Sequence, residues 1–151
     1  MSIKRATIHD AQDLTELTIR SKSHWDYDKK QIEEWRDELS ISENYILKNH
    51  VYKLTLENSL IGFYAYNTID LNDIRLDFLF IEPMFIGKGY GKILITHFLN
   101  YIKNTEVKRV IVDADPNAEN FYKKQGFKVI YKLESSIKNR FLPVMQYTIE
   151  S

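Results

Sequence analysis

Apolar residues along this 151-residue chain change their period several times, and each change marks an element. Ile3 to Ile8 alternates as a first strand, and Asp10 then stands as the cap of a helix on which Ala11, Leu14 and Leu17 recur at helical spacing. A second helix is predicted from Asp28 to about Leu39. Strand patterns cover Val51 to Glu57, Ser59 to Asn67 and Ile74 to Ile81, the first two parted by a turn near Asn58-Ser59. Leu94, Ile95, Phe98, Leu99 and Ile102 form the stripe of a helix beginning near Gly89, and Val107 to Val112 is a strand of β-branched residues. Asp115 caps a last helix that has Pro116 at its first position and Gly126 at a left-handed end. Strands Phe127 to Leu133 and Phe141 to Ile149 close the chain. The order β-α-α-β-β-β-α-β-α-β-β predicts an α/β fold, a mixed central sheet with helices on both faces.

Composition narrows what such a fold can do. With 44% hydrophobic and 13% aromatic residues, the chain can bury one substantial core, so residues 1–151 are expected to form a single domain. Lysine plus arginine number 21, as do aspartate plus glutamate, and this zero formal charge argues against a nucleic-acid partner. There is no cysteine, hence no disulfide framework, thiolate nucleophile or cysteine metal site. The start MSIKRATIHD lacks a signal peptide's apolar core, and no apolar run approaches the roughly 20 residues that span a bilayer. A cytoplasmic protein with no membrane role is expected. His9, His50 and His97 have no metal-ligand spacing, so no metal is expected.

The most informative stretch joins a strand to a helix: Ile86-Gly87-Lys88-Gly89-Tyr90-Gly91-Lys92. Glycines on alternate positions let backbone N–H groups converge on an anion, and the following helix aims its unpaired donors and positive dipole end at the same place. Lys88 and Lys92 add charge. Taken alone, the loop could equally be a glycine-rich turn with solvated lysines. Two other anion-loop explanations fail on spacing. A P-loop needs a Ser or Thr after its lysine, and Ile93 follows Lys92. A dinucleotide fingerprint needs Gly-x-G-x-x-G early in a βαβ unit, and this Gly-x-Gly-x-Gly comes late.

Preceded by Leu79-Phe80-Ile81-Glu82-Pro83 and followed by Ala118-x-x-Phe121-Tyr122-x-x-x-Gly126-Phe127, the loop resembles the GNAT superfamily of N-acetyltransferases. The order of elements resembles that family over essentially the whole chain. The resemblance implies transfer of an acetyl group from acetyl-CoA to a primary amine of a small molecule or peptide, by direct attack in a ternary complex. Without cysteine, an acyl group carried on a thiol of the protein is excluded. It implies coenzyme contacts from Ile86, Gly87, Lys88, Gly89, Tyr90, Gly91 and Lys92, and a pantetheine arm beside Leu79, Phe80 and Ile81, paired as a peptide pairs with a strand edge. Asn117 and Asn120 are further coenzyme contacts or plain surface positions. A homodimer is also in keeping with the family. Two positions depart from its pattern: Ile86 stands where Arg or Gln is usual, and Asp115 where Asn is usual. Ile86 keeps a second class open, a GNAT-shaped module that binds acyl-CoA or a small ligand without catalysis.

The chemistry needs an acid and a base. Tyr122 shares a helix face with Ala118 and Phe121, where an aromatic is ordinarily packing; the resemblance makes its phenol the group that protonates the departing thiolate. Asp77 is read as in phase with Leu79 and Ile81 and is a candidate base, with Glu82 as the second; either could be an exposed acid or an ion-pair partner, and an ordered water could do the work instead. Asp115 is read chiefly as a cap. The acceptor is expected at the segment Ser21 to Tyr27, where Trp25 and Tyr27 could form an apolar or cation-binding wall and His24 could titrate near neutral pH. Trp25 could equally pin the helix pair.

Overall fold

The computed structural model describes residues 1–135 and 140–149; residues 150 and 151, which the expected domain included, lie outside them. Seven strands and six α-helices follow in the order β1 (Ser2–Arg5), α1 (Ala11–Ser23), α2 (Lys29–Glu34), α3 (Arg36–Leu39), α4 (Glu43–Lys48), β2 (His50–Leu56), β3 (Ser59–Thr68), β4 (Asp73–Ile81), α5 (Tyr90–Ile102), β5 (Arg109–Asp113), α6 (Glu119–Lys124), β6 (Lys128–Glu134) and β7 (Phe141–Thr148). The strands form one sheet in the order β1-β2-β3-β4-β5-β7-β6. It is mixed, as the element order predicts: β4 and β5 are parallel, while β1 with β2, β5 with β7 and β6 with β7 are antiparallel. The long return from β4 to β5 through α5 is what a parallel pair requires. The chain divides into two compact units, Met1–Ala65 with Phe78–Thr96, and Tyr66–Asp77 with His97–Ser151.

In the first unit the stripes of α1 and α4 meet one face of β2 and β3. Leu14, Leu17, Ile41, Ile46, Val51, Phe63 and Ala65 form one buried cluster, against which Tyr45, Phe78 and Phe80 pack. Burial of each large side chain contributes about 1.5–3 kcal/mol, so this cluster fixes the end of β4 from one side. On the other face Gly62 leaves room for Ile81 of β4 and Leu94 of α5; a Cβ there would lie 2.7 Å from Ile81 Cδ1 and 3.1 Å from Leu94 Cδ1. In the second unit, Tyr66 packs on Phe98 of α5, and Tyr122 and Tyr147 pack on Phe127.

Several expected boundaries move. The helix predicted from Asp28 starts there, with the Asp28 side chain accepting from the Gln31 N–H at 2.7 Å, but it breaks at Trp35 into α2 and α3. The break falls where the Trp35 ring is buried edge-on against Tyr27. Helix α4 is absent from the predicted order; it is capped by Ser42, which accepts from the Tyr45 N–H. Asp10 does not cap α1 with its side chain. It accepts from the Thr7 N–H at 2.8 Å across a preceding 3₁₀ turn, Ile8–Asp10, and pairs with Lys53 at 2.9 Å. The first hairpin turns on Glu57 and Asn58, both at positive φ, one residue before the expected position. Pro116 opens a 3₁₀ turn, Pro116–Ala118, and α6 begins only at Glu119.

Gly62→Ala is expected to cost about 1–3 kcal/mol, because one contact is backbone, the Phe80 carbonyl oxygen at 3.0 Å, and cannot swing aside. Urea unfolding measures this, and a variant as stable as wild type would contradict the packing described.

Candidate functional site

The glycine loop takes the form its sequence suggests. Glu82 leads into a 3₁₀ turn, Pro83–Phe85, and Gly87 and Gly89 follow at φ +82° and +90°, where a side chain is strained. The Ile93 N–H closes on the Gly89 carbonyl at 3.2 Å, so the amides of Tyr90, Gly91 and Lys92 precede the first helical bond and have no partner within α5. A Cβ added at Gly87 or Gly89 would meet nothing within 4 Å. The glycines are therefore required by backbone conformation, and the space above the loop is open to a ligand. Phe85 meets Tyr90 edge-on, and Lys88 Nζ lies 5.7 Å from the Phe85 ring centroid, so the loop is braced on an aromatic pair. Ile86 has an extended backbone ahead of the cradle and brings no charge to it.

The end of β4 splits its side chains between two faces. Phe78 and Phe80 lie 6.0 and 6.3 Å from the Phe63 ring, while Ile81 faces Gly62. The ladder of β4 with β5 runs over Asp73–Arg75 against Arg109–Ile111, and β4 continues six residues beyond it to Ile81. Glu82, the second candidate base, is engaged on both oxygens: Arg20 Nε and Nη2 donate to them at 2.6 and 2.8 Å. That bond holds the Arg20 pKa above its usual value.

On the acceptor segment, His24 and Trp25 are exposed and meet edge-on at 5.2 Å. Tyr27 is partly buried on Trp35, and Lys22 Nζ lies 5.3 and 5.2 Å from those two ring centroids. The cation on Tyr27 is thus the chain's own, and the tryptophan that pins the helices is Trp35 rather than Trp25.

In the second unit Asp77 accepts from Asn67 Nδ2 at 2.6 Å. Tyr122, on the first full turn of α6, is 5% exposed, between Phe121 and Phe127. Burial raises its pKa well above the ordinary phenol range. It is a neutral phenol at any physiological pH. Asp115 caps the 3₁₀ turn rather than α6, whose own N-cap is Ala118; its side chain accepts from the Asn117 N–H at 2.8 Å and also receives Asn117 Nδ2 at 2.9 Å and Arg140 Nη2 at 3.2 Å. The Asn117 amide is thus turned toward its own cap, while Asn120 is exposed.

Sequence reasoning missed Arg20 and Asn67. No local pattern could have found Arg20, whose partner is 62 positions away; Asn67 stands out only as a polar residue on a strand face otherwise apolar at Phe63 and Ala65. Among the described residues no group of three or more His, Asp or Glu is placed to hold a metal ion, and no helix is long and apolar enough to cross a membrane.

The acetyltransferase (GNAT) domain family model matches residues 10–151. Similar sequences include an uncharacterized N-acetyltransferase, ycf52, of Gracilaria tenuistipitata var. liui, 26% identical over 89 residues, which are 59% of this chain and 49% of that protein. Another is the peptidyl-lysine N-acetyltransferase YjaB of Salmonella typhimurium, 37% identical over 60 residues, 40% of each chain. The chain spans about half the length, or less, of the curated relatives it matches. Among solved structures, the PaiA N-acetyltransferase of Thermoplasma acidophilum in complex with coenzyme A superposes with a TM-score of 0.78 at 24% identity, covering 98% of this chain and 99% of that one. That last likeness is one of fold.

The buried phenol gives a pH prediction. A folded pKa raised above the ordinary value near 10 means that Tyr122 stays protonated while exposed tyrosines ionise, and its share of stability is present below about pH 10 and lost at higher pH. Alkaline absorbance titrations of wild type and Tyr122→Phe should superimpose to about pH 11. One additional phenolate in wild type by that pH would contradict the burial.

Proposed function

The chain belongs to the GNAT acetyltransferase family, and from that premise we propose that it acts as a single domain that transfers an acetyl group from acetyl-CoA to a primary amine, in a ternary complex. The observation that carries the reading is the loop itself: two glycines held at positive φ under open space, followed by a thirteen-residue helix whose first amides have no partner within it. Such a cradle suits a pyrophosphate. We assign that contact to the amides of Gly87, Lys88, Gly89, Tyr90, Gly91 and Lys92, with charge from Lys88 and Lys92. Ile86 contributes backbone only. The absent Arg or Gln is a charged or amide side-chain contact, and a cradle built from backbone amides does not depend on it. Leu79, Phe80 and Ile81 would offer backbone to the pantetheine amides. Asn120 is a candidate for a further polar contact, whereas Asn117 would reach coenzyme only by leaving Asp115.

Bound acetyl-CoA supplies an activated acyl carbon as a thioester. Asp77 Oδ1 or Oδ2 takes the proton that the attacking amine must lose, and Asn67 holds the carboxylate in place for it. Tyr122 Oη gives its proton to sulfur as the carbon–sulfur bond breaks; a phenol is protonated at neutral pH and so has that proton to give. His24 and Trp25 would meet the acceptor, a small molecule or peptide, and Tyr27 would shape that segment through Trp35 and Lys22.

The test is kinetic. Tyr122→Phe should cut turnover on an accepted amine by roughly 10²-fold or more while acetyl-CoA affinity stays nearly unchanged. Turnover near wild type would remove the acid. Coenzyme binding with no turnover on a broad panel of amines would favour the non-catalytic binding module.

A further inference from the structure

In the first unit, the Arg20–Glu82 ion pair joins two segments that the proposed function uses for different ligands. Arg20 sits in the last turns of α1, four residues before His24; Glu82 follows the end of β4, four residues before Ile86. The contact is bidentate, so the guanidinium plane sets the orientation of the carboxylate as well as its distance. The two ends differ in rigidity. Glu82 is the less exposed side chain, 18% against 51% for Arg20. Its own N–H is bound to the Ile61 carbonyl at 2.8 Å, and Pro83 follows it. Arg20 rides on a helix whose next residues lead straight into the exposed His24-Trp25 pair. A pair half-exposed at Arg20 contributes little to stability, so its two-point geometry is the feature that calls for a role.

Building on the function proposed above, we infer that Arg20 and Glu82 are positioning residues that couple the coenzyme loop to the acceptor segment. When a ligand settles on the amides following Gly89, a shift of the loop moves Glu82, and the bidentate contact carries the shift to Arg20 and the turn after it. The coupling is reciprocal, so an acceptor held at His24 and Trp25 would in turn favour the liganded loop. Neither residue touches the reacting atoms.

The chain carries its own reporter. Its two tryptophans, Trp25 and Trp35, both lie on the acceptor side, and none lies in the glycine loop. Tryptophan emission, excited where coenzyme does not absorb, therefore reads the acceptor segment alone. Coenzyme A is titrated into wild type, Arg20→Ala and the charge swap R20E/E82R, with calorimetry on the same samples and circular dichroism confirming that each is folded. In wild type the emission should change and saturate along the calorimetric isotherm. Arg20→Ala should bind coenzyme A within about fivefold of wild type, the limit for an exposed pair, yet lose most of the emission change. The charge swap should restore it. Binding to wild type without an emission change overturns the coupling, as does an unchanged response in Arg20→Ala or a folded swap that restores nothing. A wild type that binds no coenzyme A overturns the function proposed above, and the coupling with it.

Discussion

Helix α5 begins on amides that it cannot satisfy itself, and the surrounding sequence decides where they point. Gly87 and Gly89 at positive φ turn the chain from β4 into the helix, and no residue with a Cβ could hold both positions without strain. Behind the turn, Ile81 and Leu94 meet over Gly62, which locks strand to helix. In front of it the space is open. The result is a cluster of backbone donors that owes nothing to the identity of a flexible side chain, and on the function proposed above the replacement of a usual Arg or Gln by Ile86 is tolerable on those terms.

The acid proposed for the reaction rests on a different constraint. Tyr122 is packed as an ordinary core aromatic would be, between Phe121 and Phe127. A phenol holds its proton at neutral pH wherever it sits, so burial settles the position of the ring and the proposed role is left to the kinetics of Tyr122→Phe. Asp77 contrasts with it. Its carboxylate is held by Asn67 in a partly exposed setting.

Much of this was legible in the sequence, because long stripes and turn chemistry are local. The α5 stripe, the glycine loop, the Asp115 cap and the seven strands follow from spacing alone. What was not legible is non-local or irregular. The break at Trp35 falls where its ring is buried on Tyr27, a contact that helical spacing does not show. Asp10 prefers Thr7 and Lys53 to the helix it precedes, and Lys53 is 43 positions away. Glu82 was weighed as a base because its partner, Arg20, is distant in sequence.

The chain belongs to the GNAT acetyltransferase family, and its own reaction, coenzyme and acceptor are proposals. The central claim is narrower and comes first: that the loop from Gly87 to Lys92 is a pyrophosphate cradle for coenzyme A. Calorimetric titration of the protein with acetyl-CoA, with ATP and NAD as controls, tests it directly. The account predicts saturable micromolar binding of acetyl-CoA alone. No binding of acetyl-CoA, or equal binding of all three, would contradict it.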